Sequence, residues 1–104
     1  MKRMTMNLND DQRIADYRKR QSVLTRKYGV GTQRKQSWAQ LLRGIASVET
    51  AYAESDKLPN DLVQTFYELS KYANEQYGKL VDFLTSIEVE LHDVDAKIRV
   101  VSEE

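Results

Sequence analysis

The sequence predicts an all-α protein: a long antiparallel helical hairpin or coiled coil with a broken first arm, three helices in all, that dimerises into a helical bundle. Three observations lead there. A heptad rhythm runs unbroken from Val63 to Val101. Two arms of similar length flank a turn at Pro59. The chain of 104 residues holds only four glycines and one proline, against 31% charged residues. That composition is the signature of a helical rod or bundle rather than of a disordered chain.

Residues 1–8 carry no apolar periodicity and are expected to form a flexible tail ahead of a single helical domain over 9–104. No apolar h-region follows Met1-Lys2-Arg3, so no secretory signal is expected, and no stretch approaches the roughly 18 apolar residues of a membrane span. Asn9 is placed to cap the first helix. Gln12, three residues on, completes a capping-box pattern, and Asp10 and Asp11 suit the positive helix end. Ile14, Tyr17, Gln21, Leu24 and Tyr28 then recur at helical spacing, giving a helix over about 10–28. Gly29-Val30-Gly31 is expected to break or sharply bend it, because two glycines cost a helix about 2 kcal/mol.

The second helix is expected to restart at Thr32 or Ser37, with Ser37-Trp38-Ala39-Gln40 as a second capping-box pattern. Its apolar stripe is Trp38, Leu41, Leu42, Ile45, Val48 and Tyr52, and it ends near Ser55. Asp56-Lys57-Leu58-Pro59-Asn60 supplies turn chemistry, and Pro59 is tolerated at the start of the third helix but not inside one. With Val63 at position a, the a and d positions of that helix read Val63, Phe66, Ser70, Ala73, Tyr77, Leu80, Leu84, Ile87, Leu91, Val94, Ile98 and Val101. Only Ser70 is clearly polar. A repeat of this kind marks a helix with an apolar seam, about 60 Å long at ~1.5 Å per residue.

Folding the chain at Pro59 sets Trp38, Leu41, Ile45, Val48 and Tyr52 opposite Leu80, Tyr77, Ala73, Ser70 and Phe66. It also sets Ile14, Tyr17, Gln21, Leu24 and Tyr28 opposite Val101, Ile98, Val94, Leu91 and Ile87. The rival arrangement is a three-helix bundle in which the glycine segment reverses the chain. A two-helix hairpin has little interior, and the apolar face of the last helix is wider than a two-stranded seam needs. The expected partner or dimer interface is therefore Leu62, Phe66, Leu69 and Tyr72, continuing through Tyr77, Val81, Phe83 and Leu84.

Zero net charge conceals an uneven distribution. Residues 1–43 carry eleven basic residues against Asp10, Asp11 and Asp16, whereas residues 44–104 carry five basic against thirteen acidic residues. Such asymmetry serves either an external polyanion or two arms that neutralise each other. The candidate polyanion contacts are Arg18, Lys19, Arg20, Arg26, Lys27, Arg34 and Lys35. The alternative, favoured on sequence, aligns the basic arm with Glu88, Glu90, Asp93 and Asp95.

No catalytic constellation is expected. The absence of cysteine excludes disulfides, thiolate metal sites and Cys nucleophiles. His92, the only histidine, has Glu88 and Asp95 on its helix face, but no second Glu-x-x-His completes a di-metal bundle site. The serines lack a histidine placed to activate them, and Gly29-Val30-Gly31 lacks the Lys and Ser/Thr of a phosphate-binding loop. The residues thus point to a cytoplasmic, non-catalytic, oligomeric scaffold or adaptor without cofactor or metal. Its expected partners are a second copy and another protein, which it would help assemble or inhibit. A nucleic-acid-binding accessory protein working through the basic arm is the alternative.

Overall fold

The computed structural model describes residues 8–53 and 57–103, and it contains two helices rather than three. Helix α1 runs over Leu8–Ala53 (46 residues) and α2 over Asn60–Glu103 (44 residues), paired as an antiparallel hairpin, with no strand among the described residues. The expected tail falls almost wholly outside those residues, as does the expected end of the first arm at Ser55.

The expected break at Gly29-Val30-Gly31 does not occur. Helix α1 is continuous through it, and no glycine takes a positive φ. Two glycines disfavour the helix by about 2 kcal/mol. Against that stands the seam on either side: Leu24 is fully buried and Tyr28 partly so, and beyond the glycines Ile45 is buried as well. Burying a leucine-sized side chain contributes about 1.5–3 kcal/mol, and a break would orphan backbone groups at two new helix ends. Tertiary burial wins over local propensity. Ser37 accordingly caps nothing. Its hydroxyl donates to the Gln33 carbonyl at 3.1 Å, in the back-bonding habit of a mid-helix serine that Thr25, Thr50 and Thr65 share.

At the other turn, the Pro59 carbonyl accepts the first bond of α2 from the Val63 amide at 3.0 Å. The ring sits just ahead of the helix, where a missing N–H costs nothing. Along α2 the heptad positions from Phe66 to Val101 are all buried or half-buried. Val63 departs from the pattern, being 50% exposed.

The chain divides into two compact units, Met1–Val30 with Leu84–Glu104, and Gly31–Phe83. The first has a core of Leu24, Ile87 and Val94, flanked by Tyr17, Tyr28, Leu91 and Ile98. These are the seam residues expected there. In the second unit Ile45 and Ala73 are the buried apolar side chains, and the register differs from expectation. Trp38 meets Tyr72 edge-on at 5.7 Å between ring centroids, and the Lys35 ammonium lies 5.9 Å from the Tyr77 ring centroid. Trp38 had been expected opposite Leu80 and Tyr77 opposite Leu41. The cause is the position of the reversal. Helix α1 ends at Ala53 and α2 begins at Asn60, so the midpoint lies between residues 56 and 57 rather than at Pro59. Each residue by which that midpoint moves shifts the pairing by two.

Candidate functional site

In the first unit the expected neutralisation of the basic arm is realised only in part. Arg20 and Glu90 form an ion pair across the helices at 2.7 Å. The other acidic partners are committed elsewhere. Asp93 accepts from Lys97 at 3.0 Å and Asp95 from Arg99 at 2.6 Å, both along α2 itself, while Glu88 accepts the Tyr28 hydroxyl at 2.7 Å. An i,i+4 pair beats a cross-helix pair here because its two side chains already share a face one turn apart. Arg18, Lys19, Arg26 and Lys27 make no ion pair among the described residues. Lys35 is half-buried over Tyr77, and Arg34 is exposed.

Those cations share a stretch of α1 without acidic residues: no aspartate or glutamate occurs between Asp16 and Glu49. Arg18, Gln21, Ser22 and Arg26 line an open groove of about 640 Å³ whose other wall is Leu91, His92 and Asp95 of α2. The Thr25 hydroxyl, also on the groove, donates to the Gln21 carbonyl at 2.8 Å, which leaves Ser22 as the hydroxyl donor on that wall. His92 and Ser22 were not among the expected polyanion contacts. Their signal was faint but present: Ser22 follows Arg18 at i+4 and precedes Arg26 by the same interval, which stacks the three on one helix face.

Tyr28 is the polar clasp of this unit. The hydrogen bond to Glu88, and after it the nearby carboxylate charge, raise the phenol above the ordinary tyrosine value of about 10. Lys97 is raised in the same manner by its bond to Asp93 and then by the charge of Asp93. For Tyr28 the sign is clear. The unfolded phenol ionises first, so the bond's contribution is complete below pH ~10 and is lost as pH rises through the raised value. Tyr28→Phe keeps the ring and removes the bond. Its melting temperature should therefore lie below wild type at pH 8, and the gap should close in alkali. A gap that stays constant from pH 8 to 11, followed by circular dichroism, would show the bond to be idle.

The carboxylates that neighbour His92 on its helix face, Glu88 and Asp95, are held by Tyr28 and Arg99, and among the described residues no three His, Cys, Asp or Glu side chains group to bind an ion. No described helix is long and apolar enough to cross a membrane.

The second unit carries the other expected surface. Leu62, Tyr72, Val81 and Phe83 are exposed, whereas Phe66, Leu69 and Tyr77 are half-buried. Leu84 belongs to the first unit and is buried at 5% exposure, so it is not part of this surface. Tyr72 finds Trp38 within its own chain. Val48, Tyr52 and Val63, expected on the paired seam near the turn, are exposed instead, and Tyr67, which flanks that seam, is exposed as well. Compared with known proteins, the chain matches no family model, no curated protein and no solved structure.

Proposed function

We propose that this protein is a non-catalytic helical scaffold that self-associates through the unit Gly31–Phe83 and presents the resulting bundle to another protein, as an assembly factor or inhibitor. One observation carries the reading. In this unit eight large apolar side chains are exposed (Val48, Tyr52, Leu62, Val63, Tyr67, Tyr72, Val81 and Phe83) and two apolar residues are buried. Among its described residues the other unit has the reverse balance, with three exposed and five buried. Side chains of this size cover about 150–250 Å² each when aromatic and somewhat less when aliphatic. Half-exposed, eight of them leave on the order of 600 Å² of apolar surface in this unit, against about 800 Å² per partner in an ordinary protein interface. A second copy is the simplest cover. The unit holds six basic and seven acidic residues, so two copies meet without strong net repulsion.

Light scattering at tens of micromolar should give a dimer or larger species. Val81→Glu with Phe83→Glu should reduce it to a monomer while leaving helix content unchanged, because both side chains are exposed in the single chain. A wild-type monomer at that concentration would remove the proposal.

A further inference from the structure

We propose that the outward face of α1 in the first unit binds the phosphates of double-stranded nucleic acid, without reading its bases. The contacts are Arg18, Lys19, Arg26 and Lys27, with Ser22 and His92 in the adjoining groove. This site is separate from the self-association surface and does not depend on it.

The first support is electrostatic. Four cations lie within ten residues of one helix with no ion-pair partner among the described residues, on a stretch that contains no acid. Asp95 is the acidic member of the groove, and Arg99 holds its carboxylate at 2.6 Å. The second support is spacing. Lys19 and Arg26 are two turns apart on one face, about 10 Å along the axis. That matches about three steps of a duplex strand, whose phosphates recur every ~3.4 Å of axial rise. Ser22 adds a hydroxyl donor between the two arginines of the groove, and arginine offers a forked set of donors suited to a phosphate.

Other anionic partners fit less well. Lipid insertion needs a free apolar face, but Ile14, Tyr17, Leu24 and Tyr28 of this segment are turned inward, buried or half-buried. Binding of unpaired bases uses exposed aromatic platforms, whereas Tyr17 and Tyr28 pack against the core. The acidic arm of a second copy is a poor match, because Glu88, Glu90, Asp93 and Asp95 already have partners within their own chain. What remains is a dense, regularly spaced row of phosphates.

The test is fluorescence anisotropy of the full chain with a labelled 24-base-pair DNA duplex of mixed sequence. Binding is expected at 50 mM salt and should weaken by about ten- to a hundredfold at 200 mM, as two to four neutralised phosphates require. Arg18→Ala with Arg26→Ala should weaken binding at least fivefold at 50 mM and lower the salt slope by about 2. Both side chains are exposed and make no ion pair among the described residues, so circular dichroism should be unchanged. Lys71→Ala with Lys79→Ala removes the same charge from exposed positions of the other unit and should change affinity less than twofold. Absence of binding at 50 mM, or an equal loss in the lysine variant, overturns the proposal. So does salt-sensitive self-association that the arginine variant abolishes without any binding of the duplex, since the face would then dock on a second copy.

Discussion

Leu24→Asp is expected to unpair the helices of the first unit, and to do so more completely than any other single change in the chain. Leu24 is fully buried and packs with Ile87 and Val94, flanked by four partly buried seam residues. Removing its branched end alone, as Leu24→Ala, should cost about 2–5 kcal/mol through lost transfer energy and the cavity left behind. A carboxylate there adds the penalty of an ion or a protonated acid with no partner, which exceeds what a small domain has in reserve. Val89→Asp is the matched comparison. It makes the same chemical change on α2 at a side chain that is 65% exposed, where surface substitutions usually stay within about 0.5 kcal/mol. Urea unfolding followed by circular dichroism should place Val89→Asp near wild type, with Leu24→Asp largely unfolded in water. Equal midpoints would mean that the core is not where the structure puts it.

That core was legible in the sequence because its signal is periodic. Phe66 through Val101 and Ile14 through Tyr28 all fall on the buried or half-buried side, as their 3.5- and 3.6-residue spacing dictates. Such spacing fixes which face of a helix is covered. It does not fix the register of one helix on another, which follows from where the turn is centred, and Pro59 marks the start of α2 rather than that centre. Nor does it say how well a seam closes near a turn. Val48, Tyr52 and Val63 obey the pattern, yet they are exposed.

The charged surface was harder to read because sequence gives the number of charges and not their partners. Eleven basic and thirteen acidic residues in opposite parts of the chain suggested mutual neutralisation. Lys97 and Arg99 lie four residues beyond Asp93 and Asp95 and claim them first. An exposed pair is worth only about 0.2–1 kcal/mol, so a local partner with less side-chain entropy to lose is enough to redirect the arrangement. The basic face is left uncovered as a consequence.

The glycines offer the second large effect, and in the stabilising direction. Gly29, Gly44 and Gly78 all lie within helices, none has a positive φ, and a β-carbon added at any of them would meet no atom within 4 Å. Alanine at each position should therefore restrict the unfolded chain without disturbing the folded one, for about 0.4–1 kcal/mol apiece. The three sites are exposed and far apart in sequence, so the triple variant should gain about 1–3 kcal/mol by near-additivity. For a chain of this size that corresponds to a rise in melting temperature of at least several degrees. Gly29→Ala alone is the more pointed measurement. If α1 passes unbroken through Gly29-Val30-Gly31, this variant melts higher than wild type. If the segment bends in solution through a left-handed glycine at 29, the added β-carbon is strained and the variant melts lower. A drop would restore the three-helix reading and remove the continuous first arm.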